Sequence, residues 1–371
     1  MTMRDTRRRS PLACCVASVA LTSGVAACQG GEPASIPDAP DVAVGRVESV
    51  DPRVPFVGTW RLARVERYDQ SGVPLPDLVH DTIGVGEALG YLMYDGERMA
   101  TVVQQENRTS SAGDGLTPED AQAAVESYTA YFGRYSVNEA SGYVSYEVAG
   151  SLNPSGAGGE TQPFFELSAN QLVLTPSLQC PDSFLTDRGC GYGTIGVQLR
   201  NVWEKIHPSA AAVDDARHFL GFWEIDRIER QFLDGNDGAV PIEQYAKGYL
   251  IYMPSGYMAV HLMRPDRRAY EGARPTVAEA DATMRGYVSY TGPFSVHADE
   301  GVVVHHQAGH LNPTRVGEAA RRAFEFQGDQ LILEPPVSTI DGRPIQTRVF
   351  WNRLSTLDTD LPTTGDQSRK G

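Results

Sequence analysis

The feature that most constrains this chain is that it carries one long pattern twice. Phe56-Val57-Gly58-Thr59-Trp60 returns as Phe219-Leu220-Gly221-Phe222-Trp223, and Arg64-Val65-Glu66-Arg67 returns as Arg227-Ile228-Glu229-Arg230. Gly90-Tyr91-Leu92-Met93-Tyr94 matches Gly248-Tyr249-Leu250-Ile251-Tyr252. From Thr117/Thr276 to Pro176/Pro335 the copies keep an offset of 159 positions (276 − 117), with Tyr128/Tyr287, Tyr131/Tyr290 and Leu152-Asn153-Pro154/Leu311-Asn312-Pro313 in step. The last pairs, Arg200/Arg348 and Trp203/Trp351, stand 148 apart, so the first copy holds 11 extra residues (159 − 148), where Cys180 and Cys190 fall. Repeats of this length are not solenoid units; each can bury its own core. The copies are assigned to residues 54–206 and 217–355, with a linker at 207–216 and a polar tail at 356–371.

Within a copy the signals are mostly strand. Residues 60–68, 90–94, 99–104, 143–152, 164–167, 171–175 and 196–205 are short runs rich in β-branched and aromatic residues, separated by turn residues such as Asp95-Gly96. One helix interrupts them. Thr117-Pro118-Glu119-Asp120 offers an N-cap, a proline in the first turn and early acids. Thr276 with Glu279 forms a capping box in the second copy. Helical spacing of Ala121, Ala124, Val125, Tyr128 and Tyr131 predicts a helix reaching Gly133, and its counterpart reaching Gly292. The tyrosines of these stretches read as core.

The ordered set of Gly58-Thr59-Trp60, Gly90-Tyr91-Leu92-Met93-Tyr94, a Tyr-bearing helix, Gly150-Ser151-Leu152-Asn153-Pro154 and Arg200 with Trp203 resembles the bacterial lipocalin-like domain family. The second copy shows the same set. The resemblance implies an all-β chain: two tandem lipocalin-like antiparallel β-barrels, of about eight to ten strands each, with one short helix packed at each barrel end. It also implies an arginine of the last strand over the first-strand tryptophan, Arg200 over Trp60 and Arg348 over Trp223. A His pair before Gly-x-Leu-Asn-Pro recurs in relatives. His305-His306 fits it, whereas Tyr146-Glu147 in the first copy departs from it.

At the N-terminus, Arg4, Arg7, Arg8 and Arg9 precede an apolar run ending in Val25-Ala26-Ala27-Cys28. That is the order of a secretory signal, residues 1–27. The cysteine after small residues resembles the lipobox of bacterial lipoproteins. It implies lipidation of Cys28 and, with Gln29 next, an outer-membrane address facing the periplasm. Residues 28–53 read as the lipidated cysteine and a Pro/Ala/Gly tether. Cys180 and Cys190, ten apart in an exported chain, are expected as a disulfide. Metal binding is the alternative, without C-x-x-C spacing to support it. The net charge of −15, with no basic patch, argues against nucleic acid or anionic lipid as partner. Membrane attachment is expected through the lipid anchor only.

Alternation decides which side chains face a barrel interior. With Trp60 and Trp223 inward on regular strands, Arg64 with Glu66 and Arg227 with Glu229 also point inward. A bulge after Leu62 would instead turn Val65 and Ile228 inward and send the charges to solvent. Tyr146 and His305 fall on interior positions, with His306 and His310 on the opposite face, and Tyr94 and Tyr252 are further polar groups that could orient a ligand. A three-His metal site would need His261 beside His305. No Ser-His-Asp order, His-Glu-x-x-His or phosphate-binding loop is found, so no cofactor or metal is expected.

Three readings follow. The first is a binding protein for a small, mostly apolar molecule, with Arg64, Glu66, Tyr94, Tyr146, Arg227, Glu229, Tyr252 and His305 as candidate contacts. The second is an isomerase or cyclase using His305 with Glu229 or Tyr252 as proton-transfer groups. The third is an envelope scaffold with filled barrels.

Overall fold

A computed structural model describes residues 51–69, 71–75, 88–105, 108, 116–176, 197–209, 216–235, 238–242 and 244–357. The leader, Cys28, Cys180, Cys190 and nearly all of the tail lie outside the described residues. The first copy supplies β1 (Gly58–Asp69), β2 (Ala88–Tyr94), β3 (Arg98–Gln105), α1 (Pro118–Glu126), β4 (Tyr128–Asn138), β5 (Tyr143–Ser151), β6 (Glu160–Thr161), β7 (Phe164–Leu167), β8 (Gln171–Thr175) and β9 (Val197–Ile206). The second supplies β10 (Gly221–Phe232), β11 (Val240–Ile242), β12 (Lys247–Tyr252), β13 (Tyr257–Met263), α2 (Val277–Gly286), β14 (Tyr287–His297), β15 (Val302–His306), β16 (Gly309–His310), β17 (Ala319–Gln327), β18 (Gln330–Glu334), β19 (Ser338–Ile340) and β20 (Arg343–Arg353).

Each copy closes into its own antiparallel barrel. In barrel 1 the order is β4-β3-β2-β1-β9-β8-β7-β5, and β5 returns to β4. In barrel 2 it is β10-β12-β13-β14-β15-β17-β18-β20, and β20 returns to β10. Closure leaves the principal strands without free edges. The first strand of each copy makes closure possible, because it is long enough to pair with the second strand at one end and the last along its length. The repeated glycine before each tryptophan has φ +129° at Gly58 and +134° at Gly221, where a side chain would be strained.

The repeated tryptophans are fully buried, and each indole N–H donates to a carbonyl four residues earlier: Trp60 to Phe56 and Trp223 to Phe219, both 2.8 Å. Burying an aromatic of this size contributes on the order of 4–6 kcal/mol gross. Phe56 and Phe219 plug the barrel bases. Phe56 packs on Tyr94 and Phe165, with ring centroids at 5.7 and 5.1 Å. Phe219 does the same with Tyr252 and Phe324, at 5.3 and 4.9 Å. The cation over each tryptophan is not the expected arginine. Lys205 lies over Trp60 at 5.0 Å and Arg353 over Trp223 at 4.0 Å. Arg200 pairs with Glu66 and Glu166, and Arg348 with Glu325 and Glu334, on the outside of the barrels.

Both helices begin where predicted. Thr117 with Asp120 and Thr276 with Glu279 form reciprocal capping boxes. They end sooner than expected, at Glu126 and Gly286, and the tyrosines beyond them lie on strands. Tyr128-Thr129-Ala130-Tyr131-Phe132 is rich in strand formers, and its pairing with β3 outweighs the helical spacing of its aromatics. Gly133 and Gly292 therefore end no helix. They mark close approaches of β4 to β5 and of β14 to the turn after β15. A Cβ on either would lie 1.9 Å from the carbonyl oxygen of Glu147 or His306.

The barrels are not independent beads. Each helix fills the crossover at one end of its barrel and packs there against the other helix. Arg108 donates to the carbonyls of His310 and Leu311 in barrel 2, at 2.5 and 2.6 Å. Arg267 donates to those of Ser151 and Leu152 in barrel 1. At the 159-residue offset these are the same contacts exchanged, the signature of a two-fold interface within one chain. Each guanidinium also sits 5.0 Å over a tyrosine ring, Tyr128 or Tyr287. Phe132 meets Tyr249 at 4.7 Å, Tyr91 meets Tyr257 at 4.9 Å, and Thr59 bonds Ser255 at 2.7 Å. Strands β2 and β3 are thus buried on both faces, which explains their nearly unbroken apolar runs.

Arg267→Met keeps much of the stem but leaves two interface carbonyls unpaired. It is expected to lower unfolding stability by about 2–3 kcal/mol, read from urea denaturation. An unchanged midpoint would deny the clasp its role.

Candidate functional site

Barrel 2 holds a partly open cavity of about 210 Å³. Its walls are largely aliphatic, with Ile228, Leu250, Val260, Leu262, Leu333 and Val349 facing inward from successive strands. Tyr290, His305, Gln307, His310, Arg315, Arg322 and Trp351 supply the polar groups. Gln244 and Tyr245 border it after β11, and Arg230 reaches Gln244 at 3.2 Å.

The first strand of each barrel slips register by one residue, between Leu62 and Arg64 in β1 and between Ile225 and Arg227 in β10. That is the bulge reading of the sequence. It turns Ile228 into the cavity and Val65 into the barrel 1 core. Arg64 bonds Glu66 at 2.8 Å, and Arg227 bonds Glu229 at 2.7 Å while lying 3.6 Å over the Phe350 ring. Arg64, Glu66, Arg227 and Glu229 therefore pair along the outer face and do not reach the cavity. Glu229 is no partner for His305.

The expected interior groups do come together. Tyr252 Oη lies 2.7 Å from His305 Nε2, and Tyr290 Oη 3.0 Å from His305 Nδ1. In barrel 1 the corresponding pair is Tyr94 and Tyr146, with hydroxyls 2.5 Å apart. Burial pushes the His305 imidazole down to about 3, and the charges of Arg322 and His306 add to the effect. Burial also raises the Tyr252 hydroxyl well above its ordinary value. The imidazole is neutral, so one nitrogen donates to one tyrosine and the other accepts from the second.

His310 departs from the expectation. The chain turns through Gln307 and Ala308, and His310 lines the cavity rather than sharing the outer face with His306. Its ring stacks on Tyr290 with centroids 5.6 Å apart. Its Nδ1 accepts the Asn312 amide at 2.9 Å, which places the neutral ring's hydrogen on Nε2. Burial holds this imidazole down to about 3 as well, helped by Arg315 and Arg108. His261 faces the other way, into the interface between barrels, where Nδ1 meets Tyr287 Oη at 3.1 Å and the ring meets Phe132. His306 and His297 both bond Ser295 outside the barrel. The histidines are thus divided between faces, and no group of three metal-ligating side chains occurs among the described residues.

Two buried polar atoms of the lining have no partner, Gln307 Oε1 and Trp351 Nε1; Trp203 Nε1 in barrel 1 is likewise unpaired. Sequence reasoning passed over Arg322, Gln307, Trp351 and the cavity role of Tyr290. The signal for Arg322 was present. Phe324 and Phe326 face inward on β17, and a period of two carries Arg322 and Ala320 to the same side.

Closed eight-strand barrels with a plugged base and an open, mostly apolar interior define a lipocalin-like protein. The profile of the family described as "Lipocalin-like domain" matches residues 57–189 and 220–354. The chain belongs to that family, with two tandem copies of its domain. A crystal structure of a protein of unknown function from the DUF3598 family of Nostoc punctiforme is similar at 11% identity over 81% of this chain and 97% of that one, with a TM-score of 0.19. A likeness so slight carries no weight here. Among curated proteins none matches.

The three buried histidines set a pH dependence. Burial holds His261, His305 and His310 down to about 3 in the folded state, while the unfolded groups titrate near 6.5. Below the unfolded value the unfolded chain binds protons that the fold refuses. Stability contributed by the neutral rings is full above about pH 6.5 and is lost as pH falls toward 3. With three such groups the slope near pH 5 reaches up to about 4 kcal/mol per pH unit. Urea midpoints at pH 7, 6 and 5 test this, and His305→Gln is expected to remove about one proton's share of the slope.

Proposed function

We propose that this protein is a lipid-anchored binding protein of the cell envelope whose second barrel holds a small, mostly apolar molecule. The observation that carries the reading is the barrel 2 cavity, an aliphatic chamber into which a few polar groups converge. Such chambers are the common form of small-molecule sites. Barrel 1 keeps the plug and a buried tyrosine pair but not the His305, His310 and Arg322 set, having Tyr146, Ser151 and Pro163 at those positions. The first barrel then serves chiefly as a support.

The proton-transfer alternative has its Tyr252–His305 geometry but lacks Glu229. An imidazole whose proton affinity is held so low is also a weak base at neutral pH. The filled-scaffold alternative predicts no chamber in either barrel. Native mass spectrometry of the protein taken from its host is expected to show a bound small molecule. Val349→Trp, which fills the chamber, should abolish that mass shift while the far-ultraviolet circular dichroism of the strands persists. Protein that carries nothing and takes up no apolar probe would end this reading.

The envelope address rests on Val25-Ala26-Ala27-Cys28 and Gln29. Cys28 is the proposed lipidation site, and the outer membrane facing the periplasm the proposed destination. No nucleic-acid partner is proposed, given the acidic chain. Among the described residues no helix is long and apolar enough to cross a membrane. Multiple acyl chains on one residue suffice for stable anchoring. Cys180 and Cys190 are proposed to be disulfide-bonded. Cys28→Ser is expected to move the protein from the membrane to the soluble fraction; unchanged membrane association would remove the anchor from the reading.

A further inference from the structure

Among the described residues, the lining of the barrel 2 cavity contains two arginines and no aspartate or glutamate, in a chain whose net charge is −15. Arg315 is answered by Glu318, with Nε 3.0 Å from Oε2. Arg322 has no such answer. Its Nη1 donates to the Arg321 carbonyl at 2.8 Å, and it forms no ion pair with a described residue. Its neighbour Arg321 points out and pairs with Glu300. The strand alternation that sends Phe324 and Phe326 into the plug sends Arg322 into the chamber, where its charge is felt at His305 and Tyr252 and its side chain also meets the neutral hydroxyl of Tyr290.

The other polar groups of the chamber are mainly donors. Trp351 Nε1–H is buried and unpaired. His310 carries its hydrogen on Nε2, because Nδ1 accepts from the backbone. Gln307 has an unpaired side-chain oxygen, an acceptor as placed, and a turn of the amide about its last bond would bring NH2 to the same position. An unneutralised guanidinium beside unpaired N–H groups, walled by aliphatic side chains, is complementary to an anion with an apolar body. A planar carboxylate matches the arginine fork. The chamber has room for a compact body: about 210 Å³ holds about seven water-sized groups, enough for a short chain or a single ring.

We propose that the second barrel takes a small amphipathic carboxylate, its head on Arg322 and its apolar body against Leu250, Val260, Leu262 and Val349. This rests on the binding reading above and specifies the ligand class. Pro163 stands at the Arg322 position in the first copy, so the site belongs to barrel 2 alone.

Matched pairs test it: hexanoate against 1-hexanol, and benzoate against benzyl alcohol. Each is titrated into the protein at pH 7.5 and followed by calorimetry and ligand-observed NMR. The carboxylates are expected to bind at least tenfold more tightly than their alcohols. Arg322→Gln should cut that preference below threefold while alcohol affinity stays within threefold of wild type. Arg322→Lys should retain a preference, and Arg321→Gln should leave it intact. Alcohols that bind as well as the acids, or a preference that survives Arg322→Gln, would overturn the assignment and leave the apolar chamber standing. Failure of all four compounds to bind would overturn both.

Discussion

A slip of one residue in the first strand of each barrel decides what kind of interior these barrels have. Were β10 regular past Ile225, Arg227 and Glu229 would face inward, and a buried ion pair would occupy the chamber. The bulge instead turns Ile228 inward, and the two charges pair with each other on the outside. The same slip in β1 removes Arg64 and Glu66 from the first interior. With those acids excluded, Arg322 remains a cation facing a lining with no acid among the described residues. The polarity of the chamber is therefore set by backbone geometry in the strand that lends it Ile228.

The second determinant is the face each barrel shows the other. Barrel strands normally alternate between core and solvent. Here β2 and β3 bury both sides, because their outer faces meet barrel 2. The exchange of Arg108 and Arg267 across the two-fold satisfies carbonyls at the ends of β5 and β16 that solvent cannot reach. Hydrophobic burial supplies the adhesion, and the paired guanidinium contacts fix the register of one barrel on the other.

Much of this was legible from residue order. The repeat showed that there are two barrels. Thr117 and Thr276 located both helix starts, since capping depends on local chemistry alone. Period-two counting placed Tyr146 and His305 inward, and Tyr252 stood as a candidate partner for His305; the Tyr94–Tyr146 pair was not anticipated. What failed has a common cause, the insertion of an extra residue or a change of period. The tyrosines after each helix satisfied helical spacing by accident and are strand. The turn at Gln307-Ala308 broke the parity that would have kept His310 outside. The bulge was visible as an alternative through Val65 and Ile228, but nothing local chose between the two. The cation over each tryptophan moved from Arg200 and Arg348 to Lys205 and Arg353, because the register sets Lys205 opposite Trp60 and Arg353 opposite Trp223 while Arg200 and Arg348 stand opposite Glu66 and Glu229. Arg322 sat beside Arg321 between alanines, a context that resembles a solvated edge. The contact between barrels had no signature beyond apolar runs.

His310 has a double allegiance. Its ring forms part of the chamber wall against Tyr290, while its backbone oxygen is held by Arg108 from the other barrel. The cavity is therefore not the property of the copy that contains it. Duplication here yielded more than a spare barrel free to drift: the quieter copy became the buttress that keeps its sibling's wall in place.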